Sequence, residues 1–312
     1  MDLSIIMVPW NVRDLVRENL KAIYNTSPQS SPYKGEEVFE FEVFAVDNNS
    51  RDGTKEMIRN EFPQVKLIAN NYNAGFAMAN NQAIKIAKGR YILLLNPDMR
   101  VLPGTLETMI KWMDEHKEVG LAGCHLVHPV KSPQMQGAEQ FHGVKKNGET
   151  VPHVRRFPTV WDQLAIVLKL PHLFPSLLDK YLMRDFNYSK ESEVDSIRGS
   201  FFMIKREVIE KIGALDERYF IWFEEVDFCR RVWQAGWKVM YTPAAQCVDY
   251  VGKSFAQVKR GVTQKYFRDS MLKYFKKWHP VWQYYVLKIA WPIGMLFSYL
   301  GDILKLKVKT RT

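Results

Sequence analysis

The chain has 312 residues and a formal net charge of +10, with 46% hydrophobic and 25% charged residues. This composition is ordinary for a globular protein with a real core, and the length predicts one large domain or two small ones. The three cysteines, Cys124, Cys229 and Cys247, are typical of a reducing compartment, and none of them has metal-ligand spacing.

The positive charge is concentrated near the C-terminus. Residues 259–312 carry twelve Lys or Arg and two Asp, so residues 1–258 sum to zero. This distribution argues against a general nucleic-acid surface and favours one localised contact with an anionic partner. Met1-Asp2 leads straight into an apolar run with no basic region or small-residue cleavage site, so we expect no signal peptide.

Strands and helices alternate through the first ~120 residues. Strands are predicted at 3–8, 42–46, 65–69 and 91–95, and helices at 14–24, from near Thr54, at 76–87 and at 106–116, with a Ser- and Pro-rich loop at 25–35. Such alternation predicts an α/β fold with a mostly parallel central sheet flanked by helices.

The run Tyr91-Ile-Leu-Leu-Leu95 reads as a strand buried on both faces. Asn96-Pro97-Asp98 ends it, because proline cannot donate to a strand ladder. A carboxylate then lies at the carboxyl end of a core strand, where open α/β sheets bind ligands and where a hard cation would find oxygen donors. The alternative interpretation is that this tripeptide is only a turn.

Three predicted strands end in polar clusters, at 9–11, 47–50 and 96–98. Because the carboxyl ends of parallel strands share one edge, we expect the clusters to meet in one crevice. The chain has neither a GxGxxG nor a GxxxxGK[ST] string, which argues against a dinucleotide-fingerprint protein and a P-loop ATPase.

Residues 125–195 contain most of the histidines and a helix predicted near 161–170. We expect an insertion that shapes an acceptor pocket. The histidine spacing matches no metal motif, so each is interpreted as an ordinary surface or core residue, namely His125, His128, His142, His153 and His172.

The next elements are an apolar run at 197–205, broken by Gly199-Ser200, and a helix at 208–212. An aromatic segment then leads into a helix that begins with three acids in four residues: Glu224, Glu225 and Asp227. Acids in a first turn can simply complement the helix dipole. An apolar surrounding would equally give a carboxylate base a tuned pKa.

Residues 281–300 are mostly apolar and rich in aromatics, with basic residues on both sides. Three interpretations stay open: a helix packed on the rest of the protein with a solvated basic tail, a helix lying in the interface of an anionic leaflet, and a membrane span. Lys288 and Pro292 interrupt the run and disfavour the span.

Six strings in order resemble the family 2 glycosyltransferases, in particular the rhamnosyltransferase-like branch of cell-envelope polysaccharide synthesis. They are Val46-Asp-Asn-Asn-Ser-Arg-Asp-Gly-Thr54, Asn73-Ala-Gly-Phe-Ala-Met-Ala-Asn80, Leu93-Leu-Leu-Asn-Pro-Asp98, the stretch from Gly199 to Gly213, the stretch from Leu215 to Arg231, and Ala235-Gly-Trp-Lys-Val239. The resemblance covers about 3–255 and is weakest at 125–155. It implies a GT-A, Rossmann-like fold and inverting sugar transfer from a nucleotide-diphosphate donor with Mg²⁺ or Mn²⁺.

The resemblance also implies the residues that contact the donor. Pro9 and Asn11 match the first-strand turn that lines the nucleotide. Asp47 and Asn48 match the positions that read base and ribose. The loop and helix beneath the nucleotide are matched by Asn73, Gly75 and Asn80.

Three positions depart from the family pattern. Asp98 matches the last acid of the metal-binding Asp-x-Asp, but Asn96 occupies its first position and is expected to contact the sugar at most. Glu225 occupies the place of the general base, usually an Asp, with Asp227 as the next candidate. Asp249 replaces a frequent histidine and could serve as an oxygen ligand to the metal.

We expect the acceptor side to include Gly199, Ser200, Trp222 and Glu224. The expected organisation is a nucleotide-sugar-binding half at 1–125, an acceptor-binding and catalytic half of the same domain at 126–258, and a basic, aromatic-rich helical extension at 259–312. The implied function is transfer of a sugar, with rhamnose as one candidate, to a saccharide or lipid-linked acceptor at the cytoplasmic face of the membrane.

Two other functions were weighed. A non-catalytic nucleotide-sugar-binding relative would fit the departures at Asn96, Glu225 and Asp249. A nucleic-acid binder is disfavoured, since residues 1–258 carry no net charge and no such motif is present. We therefore expect peripheral membrane contact and no nucleic-acid partner.

Overall fold

The computed structural model describes residues 1–26, 39–130, 148–250, 252 and 257–309, with backbone alone from 297. The strands are β1 (Leu3–Met7), β2 (Phe41–Asp47), β3 (Lys66–Ala69), β4 (Tyr91–Leu95), β5 (Met99–Val101), β6 (Val119–Val127), β7 (Val154–Arg155), β8 (Ser192–Glu193), β9 (Ser196–Ile197), β10 (Phe201–Lys205) and β11 (Lys238–Asp249). The α-helices are α1 (Arg13–Thr26), α2 (Thr54–Glu61), α3 (Phe76–Ile84), α4 (Thr105–Glu115), α5 (Val160–Val167), α6 (Asp179–Leu182), α7 (Arg206–Ile212), α8 (Glu224–Gln234), α9 (Arg260–Trp278) and α10 (Val281–Lys309).

A mixed, mostly parallel sheet forms the centre of the protein, in the order β3-β2-β1-β4-β10-β6-β11-β5, with β8 paired to β11. Strands β1 to β4 are mutually parallel where they pair, and β6 is parallel to β11. β10 runs antiparallel to both of its neighbours, and β5 runs antiparallel to β11. The α/β sheet predicted from the sequence is therefore confirmed.

The central strands are covered on both faces, as their uninterrupted apolar sequences require. Every residue of β1, β4 and β10 is buried. Apolar side chains of α1, α2 and α4 pack on one face, and those of α3, α7 and α8 pack on the other. This is a three-layer arrangement in which loops at the sheet edge are free to bind ligands.

The predicted elements agree with the observed ones to within a few residues. The predicted strand at 42–46 extends to Asp47, so this acid closes the strand. The apolar run at 197–205 is two strands, β9 and β10, separated at Gly199-Ser200. Most of the predicted loop at 25–35 and His142 lie outside the described residues.

β10 joins the two halves expected from the sequence. Although it follows residue 126 in the chain, it lies between β4 and β6, both of which come from earlier residues. The halves therefore share one sheet.

Residues 148–197 include β7, which pairs with β9, and a helical segment from α5 to α6. His125 and His153 pack with Tyr188 and Tyr241 in an aromatic cluster. Burial lowers the pKa of His153 to about 4, so the ring is neutral at physiological pH.

The C-terminal extension is helical and packs on the α/β domain. α9 and α10 contribute Met271, Tyr274, Phe275 and Leu287 to an apolar cluster with residues of α5 and α8. A Cβ at Gly294 would lie 1.9 Å from the Val167 carbonyl oxygen, so α10 crosses the end of α5 backbone against backbone. Within the ranges given above, the structure contains no helix with the length and apolar character needed to cross a bilayer.

Candidate active site

The polar clusters that end β1 and β2 meet, as predicted. The backbone N–H of Asn48 donates a 2.9 Å hydrogen bond to the Pro9 carbonyl oxygen. Asn11 adopts a left-handed backbone with φ 51°, its N–H donates to Ser50 Oγ, and its Oδ1 accepts from the Arg51 N–H at 2.7 Å. The turns after the two strands therefore form one hydrogen-bonded wall.

Asp47 lies at the base of this wall and is fully buried. Its Oδ2 accepts from the Ser50 N–H at 2.9 Å. Its Oδ1 is buried and has no hydrogen-bond partner among the described residues. A buried acceptor of this kind suits an N–H of a ligand, and the contact of Asp47 to the nucleotide stays a prediction.

The side chain of Asn48, for which the resemblance implies a donor contact, is largely engaged in hydrogen bonds within the protein. Its Nδ2 donates to the Gly75 carbonyl oxygen at 3.0 Å, while its Oδ1 accepts from Asn70 Nδ2 and the Ala74 N–H at 3.1 and 3.3 Å. These bonds occupy three of the four hydrogen-bonding positions of an amide side chain. Asn48 therefore holds the 70–75 loop in place and has at most one N–H left for a ligand.

The predicted donor loop is held by a close backbone approach. Asn73 Oδ1 accepts from the Gly75 N–H at 2.9 Å, and Asn80 Nδ2 donates to the Phe76 carbonyl oxygen. Gly75 has φ +80°, and a Cβ there would lie 2.4 Å from the Phe220 carbonyl oxygen. That same oxygen accepts from the Phe76 N–H at 2.7 Å. Only glycine fits at residue 75, for both conformational and steric reasons.

The two predicted metal ligands, Asp98 and Asp249, are neighbours across the sheet edge. Asp249 is the cross-strand partner of Met99, and the Tyr250 N–H donates to the Asp98 carbonyl oxygen at 3.0 Å. Both carboxylates are buried, with 4% and 2% exposure. Arg198 Nη1 lies 3.9 Å from Asp249 Oδ2.

Carboxylate oxygens such as those of Asp98 and Asp249 suit a hard divalent cation, which takes oxygen ligands and completes its coordination with substrate phosphates and water. The described residues contain no group of three or more His, Cys, Asp or Glu arranged around a common metal position. A metal held here would therefore need ligands from the substrate.

Gly199 and Ser200 connect this edge to helix α8. The Asn96 N–H donates to the Ser200 carbonyl oxygen at 2.9 Å. A Cβ at Gly199 would lie 3.7 Å from Glu225 Cβ and 3.6 Å from the Phe76 ring. The predicted acceptor-side pair thus lies between the carboxyl end of β4 and the predicted base.

Helix α8 begins directly after two strained residues. Trp222 and Phe223 both have left-handed backbones, with φ 63° and 68°. This conformation costs free energy for residues other than glycine and is retained at functional sites where the surroundings impose it. It places Glu224 and Glu225 at the start of α8.

The two glutamates differ in their surroundings. Glu224 is 4% exposed, and burial raises its pKa well above the ordinary glutamate value, with Glu225 adding to the effect. Glu225 is half-buried. Burial also raises the pKa of Glu225, while its own backbone N–H and the guanidinium groups of Arg198 and Arg155 act in the opposite direction. Of the two residues Glu225 is the more exposed, and its Oε2 is a buried acceptor with no hydrogen-bond partner among the described residues.

Asp227, the second predicted base, is committed to structural contacts. It is fully buried, and it accepts from Trp278 Nε1 at 2.7 Å and forms ion pairs with Lys277 at 2.6 Å and Arg231 at 3.0 Å. Two cations and an indole N–H therefore occupy the carboxylate of Asp227. The contacts of Asp227 indicate that it anchors α9 to α8.

Sequence reasoning missed several residues of this region. Arg155 and Arg198 lie far apart in the chain and match no motif. Lys277 and Trp278 were assigned only to a basic, aromatic extension. Their positions depend on tertiary contacts between distant segments, which local patterns do not encode.

Comparison with known proteins gives one family. The family model described as glycosyl transferase family 2 matches residues 4–213. The chain is 23% identical over 223 residues to the N-acetylglucosaminyl-diphospho-decaprenol L-rhamnosyltransferase of Mycobacterium tuberculosis, covering 68% of this chain and 67% of that protein. It is 25% identical over 183 residues to the rhamnosyltransferase WbbL of Escherichia coli, covering 56% and 61%.

The fold is similar to that of solved glycosyltransferases. The mannosyltransferase PcManGT from Pyrobaculum calidifontis, solved with GDP-Man and Mn²⁺, aligns with a TM-score of 0.54 and 18% identity over 94% of this chain and 73% of that one.

Proposed function

Since this chain belongs to glycosyl transferase family 2 and has the GT-A fold, we propose that it transfers a sugar from a nucleotide-diphosphate donor to a saccharide or lipid-linked acceptor in cell-envelope polysaccharide synthesis. The observation that carries the proposal is the convergence of three groups at one edge of the sheet. These groups are the hydrogen-bonded wall formed by the turns after β1 and β2, the acids Asp98 and Asp249, and the half-buried Glu225.

The wall after β1 and β2 would bind the nucleotide. Asp47 offers a buried oxygen acceptor, and Asn48 keeps the 70–75 loop in place. Asp98 and Asp249 would hold a divalent cation, which supplies charge neutralisation for the leaving diphosphate when it is bound. The choice between Mg²⁺ and Mn²⁺ is not set by these ligands, since both ions accept carboxylate oxygens.

Glu225 would act as the general base. It would accept the proton of the acceptor hydroxyl as that oxygen attacks the anomeric carbon of the donor sugar from the face opposite the leaving diphosphate, which inverts the configuration. A raised pKa brings a carboxylate nearer to neutral pH and makes it a better proton acceptor. Glu225 lies beside Gly199, where a Cβ would be 3.7 Å from Glu225 Cβ.

The related M. tuberculosis protein is named for a lipid-diphosphate acceptor. For this chain we propose an acceptor of the same class and peripheral contact with the cytoplasmic face of a membrane through α10. The outer face of α10 is defined here as Val281, Trp282, Tyr285, Ile289, Ile293 and Leu296, which are between 45% and 66% exposed. From Trp282 onward these residues recur every three to four positions, so they form one apolar face of the helix that no described residue covers. The opposite face is packed, since Leu287 and Ala290 are buried in the apolar cluster with α5 and α8.

Charge supports a bilayer as the occupant of that face. Residues 259–312 carry the whole net charge of the protein. An apolar helical face accompanied by basic residues suits an anionic leaflet, because burial of the apolar residues and attraction to lipid phosphates act together.

The proposed function is tested by thermal-shift screening of nucleotide sugars with Mn²⁺, followed by a transfer assay with the donor that binds. A bound donor raises the melting temperature by mass action. Donor binding with transfer to a lipid-diphosphate saccharide supports the proposal. Donor binding with neither transfer nor hydrolysis would favour the non-catalytic alternative, which the departures at Asn96, Glu225 and Asp249 motivate.

A further inference from the structure

Two arginines lie together on one face of the small β7–β9 sheet. Arg155 is paired with Ser196 across the strands, and the Arg198 N–H donates to the His153 carbonyl oxygen at 2.9 Å. Side chains alternate along a strand, so residues 153 and 155 share one face of the small sheet. Residues 196 and 198 lie on that same face of the neighbouring strand, because Ser196 is the partner of Arg155. Arg155 and Arg198 are therefore diagonal cross-strand neighbours, a spacing of about 7–8 Å between Cα atoms.

Among the described residues Arg155 has no ion pair, and Arg198 has one long ion pair, to Asp249. Arg155 is half-buried and forms no ion pair with any residue that the structure describes; its Nη1 donates to the carbonyl oxygen of Val154 at 2.7 Å. Arg198 approaches Asp249 only at 3.9 Å, and its side chain is 35% exposed. Like charges at this spacing repel, and a guanidinium has five N–H donors to satisfy.

The groups that face the arginines are two acids and several neutral side chains. His153, between them on the same face, is buried and neutral. The nearby acids are Glu225, which would have to accept and release a proton, and Asp249, the proposed metal ligand. The hydroxyls of Tyr181 and Tyr188 are near Arg155, and burial raises the pKa of Tyr181 to about 12, so it is uncharged.

The pair also has a defined place relative to the chemistry. Arg198 directly precedes Gly199, whose Cβ position is 3.7 Å from Glu225 Cβ, and it reaches towards Asp249. Ser200, next in the chain, has a buried Oγ with no hydrogen-bond partner in the described part of the protein. Arg198 therefore adjoins the residue beside Glu225 and lies 3.9 Å from Asp249.

We propose that Arg155 and Arg198 form an anion subsite that binds a phosphate or diphosphate group of a substrate. The planar guanidinium fork matches phosphate oxygens with two parallel hydrogen bonds, and the partial burial of the pair strengthens them. The subsite rests on the proposed function for its biological role, since either the diphosphate of the donor or the diphosphate of a lipid-linked acceptor could supply the anion.

The experiment uses the full chain and inorganic phosphate as the probe, titrated at constant ionic strength and followed by thermal shift and calorimetry. The variants are Arg155→Met, Arg198→Met and the control Arg156→Met. Arg156 is the next residue and is exposed, so the control removes the same charge from the surface. We expect phosphate to bind the control like the wild type and to bind each of the other variants about tenfold more weakly or worse.

A third variant, Arg155→Lys, separates loss of binding from a folding defect. Lysine keeps the positive charge but cannot form the two parallel hydrogen bonds of a guanidinium. Its phosphate affinity should therefore lie between those of the wild type and Arg155→Met. Equal phosphate affinity in wild type, Arg155→Met and Arg198→Met would overturn the subsite, as would a wild type that binds no phosphate. Since no sugar transfer is measured, this result is independent of whether the protein is an active glycosyltransferase.

A second titration identifies the source of the anion. Phosphate is added to protein saturated with Mn²⁺ and, in turn, UDP, GDP or dTDP. Phosphate that still binds beside the nucleotide assigns the subsite to the acceptor. Phosphate that is displaced by the nucleotide assigns it to the donor diphosphate. Both outcomes support an anion subsite and differ only in which substrate fills it.

Discussion

The indole N–H of Trp278 donates a 2.7 Å hydrogen bond to Asp227 Oδ1, two residues beyond Glu225 on the same helix. The C-terminal extension therefore bonds directly to the element that carries the proposed base. Further contacts reinforce this link, since Ser270 Oγ donates to the Ile221 carbonyl oxygen at 2.7 Å, just before the strained Trp222-Phe223 pair. α9 acts as a support for α8, the helix that carries the proposed base.

Asp227→Asn should destabilise the protein much more than Asp269→Asn, a change at a half-buried aspartate on α9. The first change leaves the cations of Arg231 and Lys277 around a neutral side chain in a buried site, and breaking such a network costs about 3–5 kcal/mol. Asp269 pairs with Arg268 at the surface, where the loss is about 0–1 kcal/mol. Urea unfolding of both variants measures the difference. A stable Asp227→Asn that loses only sugar transfer would instead return Asp227 to the role of base.

Glu225→Gln should lower kcat for sugar transfer by about 100-fold or more and leave the donor dissociation constant unchanged, because the amide cannot accept the proton. Glu210→Gln, an exposed change on α7, is the matched control. Because burial raises the pKa of Glu225, the wild-type rate should fall as pH decreases through that raised value, above the range of an ordinary glutamate. A Glu225→Gln variant with wild-type kcat would exclude it as the base.

Asp98→Asn and Asp249→Asn should each abolish the Mn²⁺ dependence of nucleotide-diphosphate binding. An amide oxygen is a weaker ligand than a carboxylate, and the described site offers only these two acids to a cation. Calorimetry with and without Mn²⁺ measures the effect, and Asp14→Asn, whose side chain is 71% exposed, is the control. Normal Mn²⁺-dependent nucleotide binding in Asp98→Asn would show that Asp98 is not a metal ligand.

Glu224→Gln should make stability less dependent on pH. Burial raises the pKa of Glu224 in the folded protein, so the stabilising contribution of its protonated form is present at low pH and is lost as pH rises through the raised value. The glutamine variant carries no titrating group there and should be more stable than the wild type at the alkaline end of the series. Urea unfolding across about pH 5 to 9 tests this, and parallel curves for both proteins would contradict it.

Ile289→Glu should weaken binding to anionic vesicles. Ile289 is 66% exposed at the centre of the outer face of α10, and a carboxylate there opposes both burial in the interface and attraction to anionic lipid. Ile86→Glu makes the same change at a 55% exposed residue far from α10 in sequence. Co-sedimentation at low salt compares the two. Equal losses in both variants would indicate a general charge effect.

The sheet could be predicted from the sequence because each strand is marked by a short run of neighbouring residues. Tyr91–Leu95 is an uninterrupted apolar run that ends at a proline, and such a run has few other places in a globular fold. The meeting of the clusters after β1 and β2 also followed, since parallel strands place their carboxyl ends at one edge.

The partners of individual side chains could not be predicted in the same way. Asn48 has a suitable sequence position for a ligand contact, yet its bonds to Asn70, Ala74 and Gly75 depend on how a loop returns to β2. Asp227 has the pattern of an active-site acid, yet Trp278 reaches it from 51 residues away. Periodicity specifies the face of an element, and the packing of distant segments specifies what that face meets.

The contact of Gly75 with Phe220 limits how this protein can be recombined with its relatives. The Phe76 N–H and the Phe220 carbonyl oxygen join the donor loop to the segment that precedes the base, and the absent side chain of residue 75 makes room for that bond. A chimera that exchanges donor specificity by swapping residues 1–125 must therefore inherit both sides of this junction as one unit. An engineered exchange should take Gly75 and the segment around Phe220 from the same parent protein. The exchanged half then keeps its backbone contact with the segment that precedes α8.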